Sequence, residues 1–486
     1  MARRTTRGRQ RVSQFYRLGR TQGGLDFVDV DIANDTPLFL SPRALELLPS
    51  DWGDECVSLV QNFFQTVLDL IKAGKNREAE NLLATLKEPN ETHLGLSRGK
   101  SRGRALGTGS AHLVWRAMSQ SAAARTGLLR DLEDAVLLIP GVGVDIISDM
   151  TTNIIRAPLI EYTQRMANQV GIPLIDNVDS GPMWDPGKRK WFSRYEQLPV
   201  TTAGKLLLVP KVIVRADLQY RADQYYRHYI LTHLRQMELA ANSALVEVLK
   251  NGRRRVTKKA LIAKYGSGKQ AVVEQTLQHP QLLDQYRAAM AKEDYSPLSH
   301  RQMAEIENTE GPDWDALLAS VLDIPTGNAD ATKYERAVEA LMTALFHPDL
   351  TNPIMQYAQH EGRKRVDIRY TNMARAGFFQ WLSRHYPSSQ VWIECKNYKD
   401  DIANNELDQL AGRFSPGRGQ VGLLVSRRFD DKALFLKRCR DTARDGRGYI
   451  ITLDDADLKA LIEFRKAADF YQQWTLLMER FEALIN

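Results

Sequence analysis

Alternation of apolar and polar residues predicts two strands near the end of the chain. In residues 391–396 every second side chain faces one way, and Glu394 and Lys396 share the other face, roughly 7 Å apart. Residues 365–370 repeat this period, with Asp367 on the polar face between two arginines. If these strands pair, Asp367, Glu394 and Lys396 converge on one spot.

The same pattern divides the whole chain. Helical periodicity dominates early, a stretch rich in Asp, Glu, Pro and Gly follows residue 292, and strands then alternate with helices. The predicted parts are a basic disordered arm at 1–25, a mainly helical region at 26–130, a mixed α/β region at 131–292, a linker at 293–330 and a domain at 331–486.

One long helix is predicted from Asp217 to Lys250, with Asn251 and Gly252 marking its end. At 1.5 Å per residue it would run about 50 Å. A helix of that length more often braces two domains or a dimer than lies inside one core.

The C-terminal domain reads as alternating helix and strand. The pattern predicts helices over Thr332–Phe346, 406–413 and Asp431–Arg444, and strands over 421–426 and 449–453. We therefore expect an α/β (α+β) class, with a mixed sheet covered by helices at the C-terminus and a largely helical region with some strands before it.

Composition is that of a soluble globular protein. The 486 residues are 43% hydrophobic and 26% charged, and every apolar run is too short to span a bilayer. The basic start is not followed by an apolar stretch, so no signal peptide is expected. Three widely spaced cysteines predict free thiols in a reducing, cytoplasmic setting.

The net charge of +7 is mild, but the cations are clustered. Clustered cations suit a polyanionic partner, which they attract through counterion release. We interpret one cluster as a DNA-facing stretch with helix-turn-helix character, and a solvated helix face is the alternative. This cluster contains Arg253, Arg254, Arg255, Lys258 and Lys259.

Candidate chemistry centres on the two strands. Two carboxylates within a few ångströms repel each other and need a cation, and oxygen ligands suit a hard one such as Mg²⁺ (or Mn²⁺). A metal there could polarise a phosphoryl oxygen. The alternative is an exposed ion pair on an edge strand, which contributes almost nothing.

The residues around these acids resemble the PD-(D/E)xK nuclease superfamily, most closely Mrr-like restriction endonucleases. The resemblance is carried by Arg-Lys-Arg-Val-Asp at 363–367, Glu-Cys-Lys-Asn-Tyr at 394–398 and the helix-forming residues 406–415. It extends over about 331–458. Val366 stands where the motif's name has proline, and 26 residues separate Asp367 from Glu394, room for a helical turn.

The resemblance implies metal-dependent hydrolysis of phosphodiester bonds. Asp367 and Glu394 would bind the metal with the backbone carbonyl of Cys395, and Lys396 would position the attacking water. Of two glutamates on the first helix, the resemblance favours Glu335 over Glu339 as completing the site. Other residues implied are Gln409, which would orient groups, and Arg363, Lys364, Arg365, Arg413 and Arg418, which would contact the phosphate backbone.

By the same resemblance, the substrate is DNA rather than RNA, and the role is bacterial restriction or anti-phage defence. Cutting both strands needs two active sites, so we expect a homodimer. Two alternatives stay open: a nucleic-acid-binding or sensing protein with a vestigial nuclease fold, and an RNase or structure-specific resolvase.

Overall fold

Two large hydrophobic cores organise the chain. The computed structural model describes residues 10–95, 129, 132–359, 364–399, 402 and 404–486, except for the side chains of residues 359 and 364. An N-terminal core gathers buried side chains from Val12 to Met303, and a C-terminal core gathers those from Leu317 to Leu484. Both cores contain helices and strands, which confirms the predicted mixed α/β class.

The N-terminal core begins with helices and short two-stranded sheets. Its first helices are α1 (Val12–Phe15), α2 (Pro42–Glu46), α3 (Asp51–Lys72), α4 (Asn76–Ala84), α5 (Asp134–Leu138), α6 (Val144–Ile154) and α7 (Arg156–Val170). Its first strands are β1 (Phe39–Leu40), β2 (Ile175–Asp179), β3 (Met183–Asp185), β4 (Lys190–Phe192), β5 (Tyr195–Leu198), β6 (Val200–Thr201), β7 (Gly204–Lys205) and β8 (Val214–Arg215). Short 3₁₀ turns occur at Gln22–Gly24, Asn90–Thr92 and Lys211–Ile213.

The predicted basic arm is ordered from residue 10 onward, so that part of the prediction is wrong; residues 1–9 lie outside the described ranges. Val12 and Leu25 are buried in the N-terminal core. Two of the arginines have buried carboxylate partners, with Arg11 bonded to Glu307 at 2.8 Å. Cations without nearby acids in sequence can therefore find partners that are distant in the chain.

The second half of this core shows that the predicted long helix from Asp217 to Lys250 is wrong. Its elements are α8 (Ala222–Gln224), a π-helical turn (Tyr225–Ile230), α9 (Leu231–Ala240), β9 (Glu247–Val248), β10 (Arg254–Arg255), α10 (Lys258–Tyr265), α11 (Gly268–Gln278), α12 (Gln281–Met290) and α13 (His300–Glu307). The helix ends at Ala240, and Asn242 is left-handed with φ 48°. Asn251 and Gly252 instead form the turn of the β9–β10 hairpin, for which Asn-Gly is a strong signal.

The boundary between the two cores falls within the predicted linker at 293–330, but much of that segment is helical and packed. Ser299 caps α13 through a reciprocal bond with Gln302, and Asp313 caps α14 (Trp314–Leu322). Leu317 and Val321 of α14 are buried in the C-terminal core. The Asp, Ser and Pro residues of this segment mark helix starts rather than a flexible connection.

The C-terminal core is built on one five-stranded mixed sheet. Its strands are β11 (Leu350–Gln359), β12 (Lys364–Asn372), β13 (Gln390–Lys396), β14 (Val421–Ser426) and β15 (Tyr449–Leu453), which lie side by side in that order. β11, β12 and β13 pair antiparallel, and β13, β14 and β15 pair parallel. A 3₁₀ turn (Asn328–Asp330) precedes the helices, which are α15 (Ala331–Leu345), α16 (Gly377–His385), α17 (Asn404–Ala411), α18 (Lys432–Arg444), α19 (Asp455–Lys466) and α20 (Phe470–Ile485).

The sequence pattern in this core agrees with the structure. All residues of β14 are buried, as expected of a parallel strand covered on both faces. The predicted strands near Asp367 and Glu394 are confirmed, as are the helix before them and the mixed sheet. The interval of 26 residues between the two acids contains α16 as well as the strand ends.

The two cores meet along α15 and the edge strand β11. Arg20 donates to Glu339 of α15 at 2.5 Å and to the carbonyl oxygen of Arg336 at 2.8 Å. The backbone N–H of Asn352 in β11 donates to Asp26 at 3.0 Å. N-terminal residues therefore contact the first helix and the first strand of the sheet directly.

Two further expectations concern the whole chain. Cys56, Cys395 and Cys439 are all free and buried, which confirms the predicted free thiols. None of the helices in the described ranges combines the length and the apolar character that a membrane crossing requires.

Candidate active site

Pairing of β12 with β13 brings the predicted acids together. Ile368 faces Ile393 across the two antiparallel strands, so Asp367 lies opposite Glu394. Asp367 also accepts a hydrogen bond on Oδ2 from the backbone N–H of Cys395 at 2.8 Å. Two acids 27 positions apart in sequence therefore share one face of the sheet, as the alternation predicted.

Lys396 and Glu394 form a buried ion pair within this site. Lys396 Nζ lies 2.7 Å from Glu394 Oε1, and the side chains are 9% and 1% exposed. Glu394 Oε2 is buried and has no hydrogen-bond partner among the described residues. Since a buried carboxylate oxygen without a partner is costly, the site has an unmet demand for a cation or a proton.

The pKa values of the acids are shifted by the same burial and charges. Burial, reinforced by the charge of Asp367, raises the pKa of Glu394 to about 7. Burial also raises the pKa of Asp367, although the Cys395 N–H opposes this. Burial alone would lower the pKa of Lys396, but the Glu394 carboxylate outweighs it and raises that pKa. The amine therefore stays charged, while both acids are more easily protonated than usual, and a bound cation would oppose that protonation.

Of the two glutamates on α15, Glu335 is the one that faces the acids. Burial and then the charge of Asp367 raise the pKa of Glu335, which places the two carboxyl groups in electrostatic contact. Glu339, one turn later, is buried against Arg20 and accepts a hydrogen bond from Thr343. Glu339 thus belongs to the junction between the cores, and Glu335 to the candidate site.

The donor set fits a hard divalent cation held partly by water. Within the described ranges, no group of three or more His, Cys, Asp or Glu side chains has the arrangement of a metal site. Asp367 and Glu394 supply carboxylate oxygens, and the second oxygen of Glu394 lacks a partner there. Mg²⁺ is commonly bound by one or two carboxylates and several waters. Burial raises the pKa of the Cys395 thiol, so this residue could contribute its carbonyl oxygen rather than a thiolate.

Two residues of the helix and turn after β13 border the site. Gln409 of α17 is exposed, and its Oε1 lies 3.5 Å from Lys396 Nζ, a long contact. Arg413 donates from Nε to the carbonyl oxygen of Arg365 at 2.8 Å, which ties this turn to β12. Arg365 itself is exposed.

The remaining predicted phosphate contacts near the acids divide into two groups. Arg363 and the side chain of Lys364 lie outside the described residues. Arg418 is described but lies at the other end of β13, because the adjacent Gly419 packs on Gln390. About 13 Å or more of strand separates Gln390 from Glu394, so the structure does not bring Arg418 to the acids.

The second predicted cationic stretch lies on the N-terminal core. Arg254 donates to Asn242 at 2.6 Å and Arg255 pairs with Glu247 at 2.9 Å, so both brace the β9–β10 hairpin. Four other cations project from the same hairpin and the start of α10, and all are exposed. They are Lys250, Arg253, Lys258 and Lys259.

One functional candidate was missed by sequence reasoning. Gln356 of β11 donates from Nε2 to Glu335 Oε2 at 2.7 Å and lies 3.5 Å from Asp367 Oδ1. Nothing in its sequence context distinguishes it from an ordinary polar residue of a strand. The sequence signal that was available, period-two alternation, says nothing of a contact that depends on strand order and on the position of α15.

Comparisons with known proteins reach only part of the chain. A family model described as a domain of unknown function, DUF8370, matches residues 17–221. This similarity falls within the N-terminal core and ends before the five-stranded sheet begins. Neither the curated proteins nor the solved structures contain a significant match.

Proposed function

We propose that this chain is a metal-dependent nuclease that hydrolyses phosphodiester bonds of DNA. The observation that carries the proposal is the buried Oε2 of Glu394, which lies beside Asp367 and has no hydrogen-bond partner in the described part of the chain, with Lys396 2.7 Å from the other oxygen. Residues 363–367 and 394–398 resemble the corresponding motifs of the PD-(D/E)xK superfamily, which supports the same chemistry. A binding protein has no need of so costly a group of buried charges.

Asp367 and Glu394 would hold the divalent ion, with the carbonyl oxygen of Cys395 as a third protein ligand. A bound Mg²⁺ or Mn²⁺ supplies Lewis acidity and lowers the pKa of bound water. Lys396 Nζ, oriented by Glu394, would hold the attacking water and stabilise negative charge developing on phosphorus oxygens. Gln409 and Arg413 would orient the phosphate from the side of α17.

DNA is proposed as the substrate because of the resemblance and because exposed cations lie on both cores. Arg365 and Arg413 border the acids, while the β9–β10 hairpin offers a separate cationic surface. Phosphate contacts of this kind position a duplex without reading its sequence. A homodimer that cuts both strands in bacterial defence completes the proposal.

The decisive experiment compares cleavage of supercoiled plasmid, linear duplex, single-stranded DNA and RNA with Mg²⁺, Mn²⁺ or EDTA. We expect metal-dependent cutting of DNA, and a loss of about 100-fold or more in the rate for Glu394→Gln and for Lys396→Met. The exposed residue Glu479 of α20 provides the matched control, since Glu479→Gln should cut like the wild type.

Each other result has a distinct meaning. Preferential cutting of RNA or of branched DNA would retain the chemistry and replace the substrate. Tight binding without cutting in any metal would indicate a nucleic-acid sensor with an inactive site. Full activity of Glu394→Gln or Lys396→Met would remove these residues from the mechanism.

A further inference from the structure

Gln356 lies where the carboxyl groups of Glu335 and Asp367 approach each other. Its side-chain NH₂ donates to Glu335 at 2.7 Å and lies 3.5 Å from Asp367. An amide NH₂ carries two hydrogens, so one group can serve two acceptors. The acceptors belong to different elements, α15 and β12, so the Gln356 amide joins these two elements at the acids.

The backbone of Gln356 adopts an unfavourable conformation at the position from which its side chain contacts the two acids. Its φ is 50°, in the left-handed region, although it lies inside β11. Met355 faces Ile368 and Tyr357 faces Val366, so the register places Gln356 directly opposite Asp367. A residue with a Cβ rarely adopts this conformation, and such strain clusters at functional sites.

The N-terminal core holds the part of the strand that leads into this strained residue. The Met355 N–H lies 3.4 Å from Gln169 Oε1, and the Asn352 N–H donates to Asp26. Arg165 donates to the Asn352 side chain at 2.7 Å. Contacts from outside the sheet thus hold the backbone just before Gln356.

We propose that Gln356 is a positioning residue, which holds the Glu335 and Asp367 carboxylates in the orientation that binds the divalent metal. The inference rests on the proposed function. Without the amide, the two acids would face each other with no shared donor and would turn apart or share a proton. Metal affinity would then fall even though every proposed ligand remained.

The test measures Mn²⁺ binding by isothermal titration calorimetry in the full-length protein, alongside plasmid cleavage. Gln356→Met keeps the size of the side chain and removes both donors, and we expect about tenfold or weaker metal affinity with slower cleavage. Gln356→Gly should weaken binding equally while the urea midpoint of unfolding stays the same or rises, because glycine relieves the positive φ. Gln472→Met, an exposed change on α20, is the control.

The possible results separate this inference from the proposed function. If wild-type protein binds Mn²⁺ and cuts DNA while Gln356→Met binds Mn²⁺ as tightly, the positioning role is overturned and the nuclease stands. Weaker binding confined to variants with lowered midpoints would assign Gln356 a structural role and also overturn it. A wild-type protein that binds no Mn²⁺ overturns both.

Discussion

Two histidines at the junction of the cores, the half-buried His300 and the buried His347, are kept neutral by their surroundings. His300 Nε2 bonds the carbonyl oxygen of Ala344 at 2.9 Å, and His347 Nε2 bonds that of Leu298 at 2.8 Å. Burial, with a smaller contribution from the charge of Lys211, lowers the pKa of His300 to about 3 and that of His347 well below its ordinary value of 6.5. Each ring thus links an N-terminal segment to the end of α15.

These shifts predict loss of stability in acid. Below about pH 6.5, His300 and His347 bind protons in the unfolded chain but not in the folded protein. The free energy of unfolding therefore decreases as the pH is lowered. The slope is about 1.4 kcal/mol per pH unit for each histidine. Urea unfolding between pH 7.5 and 5 should show a shallower slope for His347→Gln, and the exposed change His385→Gln should leave it unaltered. Equal slopes in all three proteins would contradict the prediction.

Single residues could be placed correctly from the sequence where their position depends only on strand alternation. Asp367, Glu394 and Lys396 could be placed on one face because strand periodicity alone determines it. Gln356 could not be found, because its contacts with Glu335 and Asp367 depend on the order of the strands and on the position of α15. Arg254 and Arg255 also could not be separated from their free neighbours, since their partners Asn242 and Glu247 precede them across a turn.

At the scale of elements, the β9–β10 hairpin gathers charge that local structure does not require. Lys258 and Lys259 lie in the first turn of α10, where positive charge opposes the helix dipole. Arg253 lies just before β10, and Lys250 lies just after β9. A polyanion would compensate this accumulation of cations.

We therefore expect the hairpin to contribute to DNA binding. Changing Lys250, Arg253, Lys258 and Lys259 together to Gln should weaken duplex binding and lower the slope of log K against log salt by about 0.9 for each lost phosphate contact. Fluorescence anisotropy in EDTA from 50 to 200 mM salt measures the slope. The doublet Arg301→Gln and Lys466→Gln, exposed or half-buried cations elsewhere, is the control. An unchanged slope would assign these residues to solubility alone.

The same hairpin shows why the long helix was predicted and why the prediction failed. Apolar positions at Leu245 and Val248 continue the helical period, but Val248 is 69% exposed in β9. The Asn251-Gly252 pair serves equally as a helix end or as a hairpin turn. Only the packing of the surrounding helices decides between them, and no local pattern contains that information.

At the scale of the whole molecule, the N-terminal core and the candidate site share a buried polar network. Arg20 bonds Glu339, Glu339 bonds Thr343, and Thr343 lies 2.8 Å from the Tyr370 hydroxyl. Tyr370 belongs to β12, the strand of Asp367. Residues at the start of the chain therefore brace the elements that carry two of the proposed acids.

Breaking this network at one end should be costly. Arg20→Met leaves the Glu339 carboxylate, 2% exposed, without its cation, and we expect a loss of about 3–5 kcal/mol in the free energy of unfolding. Adding Glu339→Gln should recover part of that loss, since the buried charge is then removed. Arg301→Met breaks the exposed pair with Glu305 and should cost no more than about 1 kcal/mol. Urea titrations compare the variants. If the losses of Arg20→Met and Glu339→Gln simply add in the double variant, the two residues are not coupled.

The occupied edge of the sheet limits how two copies of the chain can meet. Backbone N–H groups of Asn352 and Met355 already face Asp26 and Gln169, so the first half of the β11 edge is occupied by the N-terminal core. Two copies of the proposed nuclease would therefore not be joined into one continuous ten-stranded sheet through this half of the strand. In the proposed homodimer, the contact would then use another surface, and that surface would set the spacing between the two proposed cuts.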